Sequence, residues 1–137
     1  MLFRSAISNI EIDAKVSRQA STGIEILRAR GAAGQLPDVV VFHLGTNGPF
    51  SQRQFDDLMQ ILSGVRRVVL LNLRVPRTWE ESNNAVISAG AHAYPNTVLV
   101  DWHAATANNL DWLWTDGIHL RPAGEQAYAA LIASAVR

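Results

Sequence analysis

The segment Val39–Asn47, which reads VVVFHLGTN, decides the fold of this chain. Its first six residues are almost continuously apolar and rich in β-branched side chains, which is typical of a strand covered on both faces of a parallel sheet. Val68–Leu73 (VVLLNL) has the same character, and Ile10–Val16 and Thr97–Asp101 are further short β-branched runs. We therefore predict four visible strands.

Helical patterns separate these runs, over Ala20–Arg30, over Ser51–Gly64, after Thr78 and from Pro122. Ser51 and Thr78 each precede a Gln or Glu by three residues, which is the spacing of a capping box at a helix start. The alternation of strands and helices predicts right-handed βαβ units. The fold class is therefore α/β, a three-layer α/β/α sandwich with a parallel sheet.

Length and composition exclude several classes of protein. The 137 residues make one domain, and a hydrophobic content of 48% is enough for a packed core. Twelve basic and twelve acidic residues leave no cationic surplus for nucleic acid or an anionic membrane. The absence of cysteine excludes a disulfide framework and a cysteine nucleophile, and no apolar run approaches the ~18 residues that span a bilayer.

In such folds ligands bind beyond the carboxyl ends of the strands, which directs attention to the loop Gly45-Thr46-Asn47-Gly48. The Asn47 amide is a neutral donor that suits a developing oxyanion, and the glycines allow a ligand close to the backbone. The same four residues also read as an ordinary turn, because Asn-Gly is a common turn dipeptide. Both interpretations stay open on spacing alone.

A second candidate is Asp116-Gly117-Ile118-His119, just before the last predicted helix. His119 can act as a general base, and Asp116 can fix the tautomer of its imidazole. An Asp-Gly turn beside a helix start is the competing interpretation. His103 and Asp101 add nitrogen and oxygen ligands nearby, but no metal-ligand spacing supports a metal site, and we predict none.

Arg74 and Trp79 follow the Val68–Leu73 strand and overhang the same predicted edge. They are candidates for a substrate pocket, with the arginine binding an anionic or sugar-bearing group. An ordinary loop charge and a tryptophan packed at a helix start explain them equally well.

Together these blocks resemble the SGNH (GDSL-like) hydrolase superfamily. VVVFHLGTNGPF, LLNLRVPRTWEESNN, VLVDWHAA and LWTDGIHLRPAGEQAYAALI occur in the family's order. They look most like the SGNH domain of bacterial membrane O-acyltransferases. The resemblance runs from about Ile10 to the end of the chain.

The resemblance implies an esterase or acyltransferase with a Ser-His-Asp triad and no cofactor or metal. His119 matches the family's catalytic base and Asp116 its acidic partner. Asn47 matches the side-chain donor of the oxyanion hole, Gly45 the glycine of the same block, and Ser17 takes the place of a glycine whose backbone N–H is a second donor. The implied ligand is a small acyl ester or an acylated carbohydrate, and the resemblance points to a location outside the cytoplasmic membrane.

The family's first block, a central strand that ends in Gly-Asp-Ser with the nucleophilic serine, has no counterpart in the 137 residues. We therefore expect a domain that is N-terminally truncated relative to the family. Neither Ser5 nor Ser8 is assigned as the nucleophile. Without that strand, Ile10–Val16 and Val39–Leu44 must pair directly, leave a gap, or accept a strand from another chain. Each outcome exposes apolar surface or an unpaired strand edge, so we expect either marginal stability or self-association through the incomplete sheet.

Three functions remain at this point. The first is an SGNH ester hydrolase or O-acyltransferase domain, which lacks its nucleophile within these residues. The second is a catalytically inactive SGNH-like module that binds a carbohydrate or an acyl ester. The third is a flavodoxin-like ligand-binding domain in which both motifs are only turns.

Overall fold

A computed structural model describes residues 6–137, and its centre is a parallel sheet of three strands in the order β1-β2-β3. The strands are β1 (Val39–Phe42), β2 (Arg67–Leu71) and β3 (Thr97–Val100). The helices are α1 (Ala20–Ala32), α2 (Gln52–Ile61), α3 (Glu80–Ala93), α4 (Trp102–Ala107) and α5 (Pro122–Ala135), with a short 3-10 turn at Leu110–Trp112. No helix within residues 6–137 has the length and apolar character to cross a bilayer.

Hydrophobic layers lie on both faces of the sheet, as the apolar runs predict. Side chains of α1, α2 and α3 pack on one face, against Val40, Val68 and Leu70. On the opposite face, Val69 and Leu71 pack against residues of α4 and α5. Because β2 pairs with β1 and with β3, it is the central strand and its last four residues are buried. The predicted α/β sandwich with a parallel sheet is confirmed.

One of the two predicted capping boxes is present. At the start of α2, Ser51 accepts from the Gln54 N–H, and the Gln54 side chain accepts from the Ser51 N–H. The box predicted at Thr78 is wrong, since α3 begins at Glu80 and no side chain caps it. The Glu80 carboxylate instead accepts the N–H of Val75, at 2.5 Å, and so closes the preceding loop.

The fourth predicted strand, Ile10–Val16, is also wrong: this segment makes no sheet pairing in the described part of the chain. Its apolar side chains stay exposed, with Ile12 37% and Val16 91% accessible. A β-branched run becomes a strand only when a neighbouring strand satisfies its backbone. No such neighbour reaches it here, because a cavity separates it from β1.

This cavity, the β1 slot, has a volume of about 910 Å³ and lies between residues 7–15 and residues 35–44. The Asp38 carbonyl accepts from Arg67 N–H, so the backbone groups of Val39 and Val41, which alternate with it, point away from β2 into the slot. Val41 is 36% exposed, although it belongs to a strand of a parallel sheet. The predicted direct pairing of Ile10–Val16 with β1 is therefore wrong, and within this chain the described residues leave a gap.

Candidate functional site

Four loops meet at the carboxyl edge of the sheet, and hydrogen bonds or close packing join each to the next. The Asn47 side chain donates to the carbonyl of Arg18, at 3.2 Å, which joins the loop after residue 16 to the loop after β1. The Trp79 indole donates to the carbonyl of Thr46, at 3.1 Å, and joins the loop after β2 to the same place. A Cβ placed on Gly117 would lie 3.7 Å from the Pro76 ring, so the fourth loop packs on the third.

Both glycines of the loop Gly45–Gly48 lie close to neighbouring side chains, and the backbone of Gly45 also favours glycine. Gly45 has a φ of +116°, in a region that side chains rarely adopt, and a Cβ there would lie 3.1 Å from Leu73. A Cβ on Gly48 would lie 2.5 Å from the side-chain oxygen of Gln19, and the Gln19 amide donates to the carbonyl of Asn47, at 2.7 Å. The loop is therefore a specific, anchored conformation.

The Asn47 side chain is exposed at this edge. One N–H of its amide is engaged by Arg18. Because an amide NH₂ has two protons, a second N–H is left to donate to a ligand. An exposed amide N–H of this kind is the chemical group that an oxyanion donor supplies.

Ser17, the residue matched to the second oxyanion donor, has a φ of +62° and is exposed. A left-handed backbone favours glycine, because a Cβ crowds the following carbonyl there. The glycine that the resemblance implies at this position is thus explained by the backbone. Ser17 directly precedes Arg18, so it lies next to the Asn47 side chain.

His119 lies on a small hairpin that precedes α5. Leu113 and Leu120 form an isolated antiparallel bridge, and the Trp114 N–H donates to the carbonyl of His119, at 2.9 Å. At the tip, Asp116 accepts the N–H groups of Ile118 and His119 through its Oδ1, at 2.9 and 3.0 Å. This Asx turn, with a positive φ at Gly117, presents the imidazole at the surface.

Asp116 and His119 form a dyad in which Nδ1 of the imidazole lies 2.5 Å from Oδ2 of the carboxylate. The hydrogen bond from His119, followed by the two backbone N–H groups, lowers the pKa of Asp116 to about 2. The ionised carboxylate only accepts, so Nδ1 donates to it, and in a neutral imidazole this leaves Nε2 with a free lone pair. The His119 side chain is 78% exposed, so that lone pair is accessible to a substrate.

The two predicted substrate residues have different surroundings. Arg74 is directed toward α4, where its guanidinium donates to the hydroxyl of Thr106, at 2.9 Å, and to the carbonyl of His103, at 2.6 Å. Trp79 lies at the rim of the loop that carries Asn47, with its indole on Thr46. Their roles toward a substrate stay predictions.

The other histidines lie outside the Asp116–His119 dyad. His43 is held between the Tyr128 hydroxyl, 2.6 Å from its Nδ1, and the backbone of Asn72, and burial lowers its pKa to about 4. His92 is exposed, and His103 Nε2 lies 3.3 Å from the Glu80 carboxylate. Within residues 6–137, His, Asp and Glu side chains form no group of three that could hold a metal ion.

A residue of the site that the sequence analysis did not propose is Asn83, on α3. It is 1% exposed, and its amide makes three hydrogen bonds to the backbone of the loop that carries Asn47. The available signal was an asparagine on the apolar face of a predicted helix, since a buried amide requires polar partners.

Comparison with known proteins gives relatives along nearly the whole chain. No protein-family model matches it. Over 134 residues it is 39% identical to a Bacillus subtilis protein provisionally named peptidoglycan O-acetyltransferase YrhL, with 98% of this chain and 21% of that protein covered. It is 36% identical over 131 residues to peptidoglycan O-acetyltransferase OatA of Listeria monocytogenes, covering 96% of this chain and 21% of that protein. The chain thus spans about a fifth of the length of these relatives.

The C-terminal catalytic domain of OatA from Streptococcus pneumoniae, solved with a methylsulfonyl adduct, superposes with a TM-score of 0.81 at 23% identity. The superposition covers 98% of this chain and 83% of that domain, and it shows the shared fold. Fold and motif order define an SGNH-like α/β domain. The chain is similar over nearly its whole length to part of relatives that are named O-acetyltransferases of peptidoglycan.

Proposed function

We propose that this chain is the acyl-transfer domain of an O-acetyltransferase and that the Asp116–His119 dyad is its base. The observation that carries the proposal is the 2.5 Å hydrogen bond from His119 Nδ1 to Asp116 Oδ2, which leaves Nε2 free at the edge where the other motif loops meet. A histidine oriented in this way removes a proton from a hydroxyl as that hydroxyl attacks an acyl carbon.

In the proposed step, a hydroxyl oxygen bonds to the acyl carbon and its proton passes to His119 Nε2. Negative charge then develops on the former carbonyl oxygen, where the second N–H of Asn47 and the backbone N–H of residue 17 are the proposed donors. When the tetrahedral intermediate collapses, the leaving alkoxide takes the proton from His119. Asp116 stabilises the imidazolium between these two transfers.

The hydroxyl nucleophile is not assigned to a residue of this chain. Ser5 lies outside the described residues, and Ser8 is in a turn. Ser17 is proposed as an oxyanion donor through its backbone N–H, and we do not propose it as the nucleophile. We therefore expect the 137-residue chain to form no covalent acyl intermediate, because base and donor without a nucleophile leave only water as attacker.

For the substrate we propose an acetyl ester as donor and a sugar hydroxyl of peptidoglycan as acceptor. The support is the name shared by the relatives, which are 36% and 39% identical to the chain. Trp79, at the rim, is the proposed contact for a sugar ring, because aromatic faces suit the apolar side of a carbohydrate. Arg74 retains only part of its donor capacity for a substrate, since two of its nitrogens bind α4.

A fluorophosphonate serine probe tests the proposal. The chain by itself is expected to stay unlabelled. A chimera that carries the ~20 residues preceding the matched region in the Listeria relative should be labelled, a length chosen from the ≥ 10–12 residues of a βα crossover. His119→Ala should abolish that labelling, whereas His92→Ala, at an exposed position of α3, should not.

Labelling of the unextended chain would show that the nucleophile has been misplaced. Labelling of the folded chimera that survives His119→Ala would remove His119 as the base. A folded chimera that stays unlabelled but binds an acetylated sugar, as measured by NMR shifts of the Asn47 amide, would favour the inactive binding module. Activity of the chimera without probe on a panel of acetylated sugars and short-chain esters then defines the acyl donor.

We also propose that copies of this chain associate through the free edge of β1. The backbone groups of Val39 and Val41 face the β1 slot, where the described residues offer them no hydrogen bond. An exposed strand edge of this kind pairs readily with another chain. Light scattering should show a dimer or larger species that Val41→Lys dissociates and Val16→Lys does not. A monomeric parent chain would contradict the proposal.

A further inference from the structure

Asn83 is a polar side chain in the apolar core beneath the site. It lies in the second turn of α3 and is 1% exposed. Its Oδ1 accepts the N–H of Phe50, at 2.7 Å, and its two amide protons go to the carbonyls of Gly45 and Gly48, both at 2.9 Å. Both amide protons are therefore used within the protein, and none is left for a ligand.

The three partners of Asn83 bracket Asn47 along the chain. Gly45 is two residues before it, Gly48 directly after it and Phe50 three residues after it. All three partners are buried, whereas Asn47 is exposed. The buried amide therefore holds the backbone on both sides of one exposed functional side chain.

The glycine at position 45 is matched to this arrangement. A Cβ there would lie 3.3 Å from Asn83 Nδ2, which is tighter than ordinary van der Waals contact. The positive φ of Gly45 adds a second reason for glycine. The sequence Gly-Thr-Asn-Gly and the asparagine 36 residues after Asn47 are thus parts of one structure.

We infer that Asn83 is a positioning residue: it fixes the loop after β1 so that the Asn47 amide stays aimed at the oxyanion. The inference rests on the proposed function for the role of Asn47, but the ordering of the loop by Asn83 does not depend on it. Such positioning affects catalysis because a misplacement of about 1 Å costs up to about 100-fold in rate.

Asn84 supplies a matched control from the next position of the same helix. Its amide also forms two hydrogen bonds to backbone groups: it accepts the Leu73 N–H at 2.8 Å and donates to the Leu73 carbonyl at 3.0 Å. Both partners belong to Leu73, in the loop after β2, and neither belongs to the loop of Asn47. Asn83→Ala and Asn84→Ala therefore remove the same chemical group from two different loops.

NMR of the 137-residue chain tests the ordering. With Asn83→Ala, backbone order parameters at residues 45–49 should fall from about 0.85 to below about 0.6, and the Asn47 side-chain amide signals should shift. With Asn84→Ala these residues should keep their values. If Asn83→Ala does not fold, Asn83→Asp replaces it. Asp retains the acceptor for Phe50 but loses both amide protons, so the order parameters at residues 45–49 should fall in this variant as well. Equal order in both variants would overturn the inference.

Hydrogen exchange of the unmodified chain tests the ordering of the loop by Asn83 without any variant. The Phe50 N–H should exchange as slowly as amides of β2, because its acceptor lies in the core. Exchange at the rate of a free loop amide would overturn the inference as well.

In the chimera without probe, Asn83→Ala should lower kcat ten- to 100-fold with KM within about twofold, and should add little in an Asn47→Ala background. An unchanged kcat for Asn47→Ala would refute the proposed role of Asn47, while the NMR result would still decide the role of Asn83. Full additivity of the two substitutions would show that Asn83 does not act through Asn47.

Discussion

Acidification from about pH 7 to about pH 4 should destabilise this protein through the ring of His43. Burial lowers the pKa of this imidazole from 6.5 to about 4, and the backbone contact with Asn72 offsets only part of that effect. The neutral ring accepts the Tyr128 hydroxyl at Nδ1, at 2.6 Å. A proton on Nδ1 would replace that acceptor with a second donor.

The sign follows from the two pKa values. Between pH 6.5 and about 4 the unfolded chain binds a proton that the folded chain does not, so stability falls as the pH falls through this window. Each pKa unit corresponds to about 1.4 kcal/mol, so the loss reaches at most about 3 kcal/mol. That is a large part of the 5–15 kcal/mol that is typical of a whole domain.

Urea denaturation at about pH 7, 5.5 and 4 measures this loss, with His43→Asn as the variant. The Asn oxygen takes the place of the Nδ1 acceptor and does not titrate, so the variant should lose roughly 3 kcal/mol less than the parent over this range. His92→Asn, at an exposed position, should keep the parental pH dependence. A His43→Asn chain that loses as much stability as the parent would refute the assignment.

Three further predictions concern backbone strain, packing and the dyad. Ser17→Gly should raise the free energy of unfolding by about 0.5–1 kcal/mol in urea titrations, because it relieves a φ of +62°, and a loss of stability would contradict this. Gly90→Ala should lower the free energy of unfolding by about 2 kcal/mol or more, because the new Cβ would lie 2.1 Å from the Phe55 ring. The control Gly64→Ala places its Cβ where no other atom lies within 4 Å, and it should change this free energy by less than about 0.5 kcal/mol. Asp116→Asn keeps the Oδ1 acceptor of the turn but loses the charged partner of Nδ1. The kcat of the chimera without probe should therefore fall about 10³–10⁴-fold, while its thermal midpoint stays close to that of the parent. Unchanged kcat would show that the dyad is only a turn.

The sheet could be predicted from the sequence where both faces of a strand are covered. The runs at Val39 and Val68 are apolar throughout because helices pack on both sides of them. Ile10–Val16 has similar β propensity, but a strand also needs a neighbour for its backbone groups, and propensity carries no information about that neighbour. The strand prediction for Ile10–Val16 is wrong and the β1 slot is present for the same physical reason, which is that no strand pairs with this segment.

The dyad could be predicted because its two members are three residues apart, within reach of a single turn. The surroundings of Arg74 could not, since its partners Thr106 and His103 lie about 30 residues further along the chain. A short motif reports the local backbone, whereas the partner of a long side chain depends on how the elements pack. The same limit applies to the choice between a turn and an oxyanion donor at Asn47.

Asn83 and Asn84 show that the conformation of the candidate site depends on side chains beneath its loops as well as on the loops themselves. The two residues are chemically identical neighbours on α3, yet one holds the loop after β1 and the other the loop after β2. A helix turn of about 100° per residue directs them to different strand ends. The exposed Asn47 has few bonds of its own, so its position depends on buried amides of this kind. A domain can therefore retain its fold and still lose its chemistry through one substitution in the interior.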